Sequence, residues 1–279
     1  MKGAGTCRPP SFIARAFRGI VPRIAIGDTT YTGAHGRGRM IRPLARVAAV
    51  AAALCATLPV AAAGDNWQGS VAAVSDYMFR GISQSYGDPA LQAGLAVRGS
   101  SGWFAGAWGS SVWPYPFYSH AVEADLYAGY GLALTPRWNA RASYTRYTYL
   151  SDPRPVPYDY GEFSVSLGYE DRLVGTLSWQ PDGTQITALG YAHKRQLLAY
   201  ELSGRWPLAT HWSLAFGAGY YDLHHMFGLG YASGSAGVNY QHGHLQLGVM
   251  YCDADAHARR LYDEAAADHH WVASAVWKF

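Results

Sequence analysis

Beyond residue 63 the chain alternates apolar and polar residues with a period of two, segment after segment. That period puts successive side chains on opposite faces of a strand, so it constrains the fold more than any other feature. Val122, Ala124, Leu126, Ala128 and Tyr130 share one face, while Glu123, Asp125, Tyr127 and Gly129 share the other. Phe163, Val165, Leu167 and Tyr169 oppose Glu162, Ser164, Ser166 and Gly168. Leu198, Tyr200, Leu202 and Trp206 oppose Glu201, Ser203 and Arg205. Twelve such segments are readable, at about 67–80, 90–99, 102–112, 120–133, 137–149, 159–170, 172–180, 195–206, 211–221, 230–240, 243–253 and 269–279. The third carries Trp103 and Trp108 on opposite faces, and the seventh has a strand-like continuation over Thr184–His193.

The last segment is the most specific. Trp271, Ala273, Ala275, Trp277 and Phe279 form one face, and His270, Val272, Ser274, Val276 and Lys278 the other. Aromatic residues at both ends of an apolar face suit a strand that crosses a bilayer in a closed barrel, although an ordinary sheet strand has the same alternation. Phe279 with Trp277 resembles the C-terminal signal by which outer-membrane barrels are recognised by their assembly machinery. Connection lengths point the same way. Short links (Ser100-Ser101, Thr135-Pro136, Asp171, Pro207–Thr210, Gln241-His242) alternate with longer ones such as Ile82–Pro89, Ser151–Pro157 and Ala254–Asp268. Transmembrane barrels sort their loops in this way, with short turns on the periplasmic side and long loops outside. The sequence therefore predicts an all-β, closed antiparallel transmembrane β-barrel of about twelve strands over 64–279.

Charge is unevenly placed. Residues 1–63 hold nine of the 22 basic residues and one acid, Asp28; Gly64 onward holds 13 basic and 18 acidic residues, a net 13 − 18 = −5. The basic balance belongs to a leader and gives no reason to expect a nucleic-acid partner. Met40-Ile-Arg42-Pro-Leu-Ala-Arg46 reads as a basic n-region, Val47–Leu58 as an apolar h-region, and Pro59–Ala63 as a small-residue cleavage site. The expectation is a secretory signal peptide over 40–63, cut between Ala63 and Gly64, behind an N-terminal extension over 1–39 from a start assigned too early. After cleavage Cys252 alone remains, so stability must come from pairing and burial rather than disulfides.

Ser75-Asp76-Tyr77-Met-Phe79-Arg80-Gly81-Ile82-Ser83-Gln84-Ser85, followed by Gly87-Asp88-Pro89-Ala90-Leu91-Gln92, resembles the opening of the TorF-type porin family, a proteobacterial group of conserved hypothetical proteins. The resemblance is sharp over about 70–112. It implies an outer-membrane barrel and a channel. Within it, Tyr77 and Phe79 are expected at the outer lipid interface, with Asp76 and Arg80 toward the lumen.

No catalytic residue and no cofactor is expected. His211 and Ser213 share a face and form a candidate dyad, but inward and at the periplasmic end, away from outer-leaflet lipid. His224-His225 and His269-His270 lie at the outer end and His242 and His244 beside a periplasmic turn, so no single metal site is expected to gather them. The inward charges are the candidate pore lining: Asp76, Arg80, Arg98, Glu123, Asp125, Arg137, Arg141, Glu162, Arg172, Glu201, Arg205 and Lys278. They either tune solute passage through a wet lumen or pair across it and fill it. Arg146 is the exception on the outward face, placed near the outer end where its head can reach water. The function expected is passive diffusion of small hydrophilic solutes or ions. An enzyme acting on lipid or surface polymer, or a closed surface barrel, are the alternatives. The partners expected are outer-membrane lipid, the assembly machinery and small solutes; nothing in the chain fixes an oligomeric state.

Overall fold

The alternating residues divide between the two faces of a cylinder. The computed structural model describes residues 66–113, 121–152, 158–170, 172–186 and 192–279; the leader expected over 1–39 and 40–63 lies outside them. In chain order the strands are β1 Trp67–Val74, β2 Met78–Phe79, β3 Ile82–Ser83, β4 Ala90–Arg98, β5 Trp103–Val112, β6 Ala121–Ala133 and β7 Trp138–Leu150. They continue as β8 Tyr160–Tyr169, β9 Leu173–Ile186, β10 Ala192–Pro207, β11 Trp212–Asp222, β12 Tyr231–His242, β13 Leu245–Ala254 and β14 His270–Lys278. All but β2 and β3 form one closed antiparallel barrel of twelve strands, each beside its neighbour in sequence, with β14 returning to β1.

The seam runs from Ser70 opposite Lys278 to Val74 opposite Ser274. It is extended by Gly69 and Phe279, which exchange two backbone hydrogen bonds of 2.8 and 3.0 Å. The Phe279 ring lies where a side chain on Gly69 would sit, so glycine is needed there. Closure leaves no edge of unpaired backbone groups, the condition for strands to cross lipid.

Side-chain burial follows the alternation. Leu126 and Trp271 are each 68% exposed, and Val165, Leu202 and Trp206 also face outward. Glu123, Asp125 and Glu162, one residue away from exposed neighbours, are buried. In β5 Trp103 faces out and Trp108 in, as the sequence indicates. Arg146 does sit on the outer face; its guanidinium reaches Asp182 at 3.2 Å, and both side chains remain partly exposed.

Short connections (99–102, 134–137, 170–172, 208–211, 243–244) gather at one end of the barrel with Trp67 and Lys278, here termed the turn end. The strand ends joined by longer connections, such as Val74 and Ala90, Asp222 and Tyr231, and Ala254 and His270, gather at the other end, the loop end. Two strand limits differ from the sequence reading. β9 runs to Ile186, past Gln180, and β10 starts at Ala192. β1 stops at Val74 instead of reaching residue 80, because the Ser75 N–H and hydroxyl both tie to the backbone of Ala273, at 2.9 Å each, and the chain then leaves the wall.

It turns inward. β2 and β3 form a hairpin inside the loop end, covered by two short helices, Ala256–Leu261 and Glu264–Ala267, from the last loop. Ile82 packs with Leu223, Met226, Tyr231, Leu261 and Tyr262 in an apolar core inside the barrel mouth.

Candidate functional site

The hairpin owes its shape to Arg80-Gly81. Both residues have positive φ, 48° and 78°, the pattern of a type I′ turn, whose twist matches tight antiparallel strands. Gly81 is also a close approach: a Cβ there would lie 2.5 Å from the Ser233 Cβ and 3.1 Å from the Ala254 Cβ, on the barrel wall. A buried segment must satisfy its backbone. Here Gln84 N–H donates to Tyr77 O at 2.7 Å, Trp113 N–H to Gln84 O at 2.9 Å and Tyr77 N–H to Ser85 Oγ at 2.9 Å.

Asp76 organises the base of the hairpin. Its Oδ1 accepts from Ser83 Oγ at 2.6 Å, Ser85 Oγ at 2.9 Å and Gly87 N–H at 3.3 Å, and its Oδ2 lies 2.7 Å from His270 Nδ1 on β14. One carboxylate thus joins the segment to itself and to the wall.

Arg80 occupies the tip. One terminal nitrogen reaches Glu162 on β8 at 3.0 Å and Glu201 on β10 at 3.3 Å. The guanidinium lies 4.8 Å from the ring centres of both Phe79 and Tyr221. Glu162 also accepts from Gln180 Nε2 at 2.7 Å, and Gln180 accepts from the Tyr221 hydroxyl at 2.9 Å. All three charged side chains are at most 5% exposed. Such an ion triad is held by its geometry: removing one member strands buried charge, at a cost of about 3–5 kcal/mol. A cation delivered from β1's end thus reaches two acids on strands across the barrel.

The twelve residues expected in the lumen therefore separate. Asp76, Arg80, Glu123, Asp125, Glu162 and Glu201 do come together inside the loop end, packed among the hairpin and tyrosines rather than bathed in water. Glu123 accepts from the Tyr77 hydroxyl at 3.2 Å. Arg98, Arg141, Arg205 and Lys278 face inward toward the turn end and are only half-buried. Arg137 and Arg172 lie in turn-end connections and are exposed: Arg137 pairs with Glu170 at 3.4 Å, and Arg172 stacks on Trp206, so neither lines the lumen. Tyr77 and Phe79, expected at the lipid interface, are 7% and 1% exposed inside the barrel. The segment continues the strand alternation, but its faces meet the lumen core because the chain has left the wall. Gln180 and Tyr221 join the site without having been singled out, and His270, considered only as one of the outer-end histidines, joins it through Asp76; the Arg-Gly turn was the only local sign.

The profile of a family described as "Bacterial protein of unknown function (Gcw_chp)" matches residues 60–279. The chain belongs to the Gcw_chp family. No curated protein matches the sequence. Among solved structures, the NanC porin aligns over 76% of this chain and 98% of its own at 11% identity, with a TM-score of 0.51; the likeness is one of fold. The KdgM porin (76% and 99% covered, 9% identity, TM-score 0.46) and the Pseudomonas putida toluene transporter TodX (77% and 89%, 11%, 0.41) are also similar.

In this member of the Gcw_chp family the candidate dyad is not assembled. Ser213 Oγ accepts from Arg205 Nε at 2.8 Å, whereas the His211 ring is exposed and bonds the Gln241 carbonyl at 2.9 Å. His224 and His269 sit beside Asp222 and Asp268 on the surface. His270 instead points inward, to Asp76. Among the described residues no three metal-ligating side chains converge. Cys252 is a buried free thiol.

Proposed function

We propose that the protein is an outer-membrane channel for passive diffusion of small hydrophilic solutes or ions, closed at rest by its own hairpin. The carrying observation is the interior itself. A cylinder with an apolar exterior holds charged and hydroxyl-bearing side chains inside it, from Glu123 and Glu162 toward the loop end to Arg141, Ser166 and Lys278 toward the turn end, a lining suited to a water path. Twelve strands lie between barrels of eight, which side chains fill, and those of 16–18, which stay open. A lumen of that width conducts or not depending on what enters it, and here a hairpin enters. In this reading the turn end faces the periplasm, the loops face outward, the leader directs export and is cut between Ala63 and Gly64, and Phe279 with Trp277 presents the closing strand to the assembly machinery.

A closed surface barrel is the second reading, favoured by the apolar core that fills the loop end. Swelling of liposomes containing the refolded protein separates the two. A channel gated by the hairpin admits arabinose slowly in the wild type and faster in Arg80→Ala. No swelling from either protein, with heat-modifiable migration intact, supports the closed barrel.

A further inference from the structure

The lumen's charges are segregated along its axis. Inward carboxylates occupy the loop end and middle: Glu123 and Asp125 on β6, Glu162 on β8 and Glu201 on β10. Turn-ward of these, among the described residues, no inward strand position holds Asp or Glu. The charged groups there are Arg98 on β4, Arg141 on β7, Arg205 on β10 and Lys278 on β14. In the closed order these strands are spread around the circumference at intervals of three, three, four and two. The cations form a ring rather than a patch on one wall.

The ring is built and wet. Arg141 lies over the Phe104 ring at 4.7 Å, close enough to Arg98 for the two charges to act on each other. Arg205 is oriented by Ser213 at 2.8 Å, and Lys278 by Gln246 at 2.6 Å. All four are half-buried, unlike the loop-end acids, so solvent reaches them from the turn end. Hydroxyls line the wall between them: Ser166 bonds Thr176 at 3.0 Å, directly beside Arg141 in the strand register. Low-dielectric walls around charges of one sign focus their field and raise the local concentration of the opposite ion.

We propose that the turn-end half of the lumen is an anion-binding vestibule, in which Arg98, Arg141, Arg205 and Lys278 collect small hydrophilic anions. Its occupants enter from the turn end and stop at the carboxylate zone. The proposal holds whether or not the barrel conducts.

The test reads reagent charge at a thiol. In the whole protein carrying Cys252→Ser, a thiol is placed by Ser166→Cys beside Arg141 or, as a control, by Ala265→Cys on the loop-end surface. Each is reacted with an anionic and a cationic methanethiosulfonate, MTSES and MTSET. The ratio of the two rates cancels any change in thiol reactivity. At position 166 the anionic reagent should be favoured by roughly tenfold over the ratio at 265. Arg98→Gln with Arg141→Gln should bring the two ratios within about twofold. In unmutated-ring protein, 1 M KCl should compress the difference, because that salt screens charge within about 3 Å; this arm stands even if the double variant does not fold. Equal ratios at 166 and 265 at low salt, or a preference indifferent to both salt and the Arg variants, would overturn the proposal. Bilayer silence with the ratio intact removes the channel reading alone.

Discussion

The two halves of this lumen use one wall in opposite ways. At the loop end, inward side chains meet the hairpin, the tyrosines and the covering helices, and charges there are paired and dry. At the turn end the same strands carry inward serine, glycine and cations that are only half-buried. The strands do not change; what fills the space between them does. A barrel wall fixes the faces, and a single segment decides which half is core and which is vestibule.

The sharpest way to break this contrast is Arg80→Ala. It strands Glu162 and Glu201 without their cation, so the loop end should lose about 3–5 kcal/mol. Solute flux should rise while the barrel keeps its heat-modifiable migration. Unchanged flux and thermal stability would mean that the triad does not hold the hairpin.

Gly81→Val tests placement without touching charge. The new side chain meets Ser233 and Ala254 and must adopt positive φ, a strain of roughly 1–3 kcal/mol before the clash is counted. Trypsin should then cut after Arg80 in intact vesicles, and protection equal to wild type would contradict a snug tip. Asp76→Asn retains shape but weakens the charge-assisted bonds to Ser83, Ser85 and His270, each in a class worth about 1.5–3 kcal/mol. An intermediate gain in flux is expected, smaller than with Arg80→Ala.

Asp255 probes the cover. Burial pushes its carboxyl up, but the N–H groups of Ala232, Ala258 and His257 outweigh that and hold it below its ordinary 3.8. The cap's contribution is therefore complete above that value and fades as pH falls through the lowered one. Asp255→Ala should cost about 1 kcal/mol, read as faster hydrogen exchange over 256–267 at neutral pH, with the difference shrinking in strong acid. Ser143→Ala, in the wet half, should change stability by less than about 0.5 kcal/mol.

Much of this was legible in advance. Alternation at Glu123/Leu126 and Glu162/Val165 names the faces, and the alternating short and long links order the strands. Residues 75–80 deceived for a physical reason. Tyr77 and Phe79 against Asp76 and Arg80 is as good a strand pattern as any in the wall, and period two says nothing about which surface a segment joins. What decides is a set of partners far along the chain, Glu162, Glu201 and His270, that no local window contains. The vestibule was half legible: Arg98, Arg141, Arg205 and Lys278 were placed inward, but their separation from the carboxylates along the axis needed the register.

Thiol protection tests the folded-in hairpin most directly. Ile82, on the second strand of the hairpin, is 2% exposed. With Ile82→Cys in a Cys252→Ser background, the folded protein should resist a small maleimide and react only once denatured. If the thiol instead labels in the folded barrel as fast as in the denatured chain, the hairpin does not occupy the lumen and the division of the lumen into two unlike halves fails.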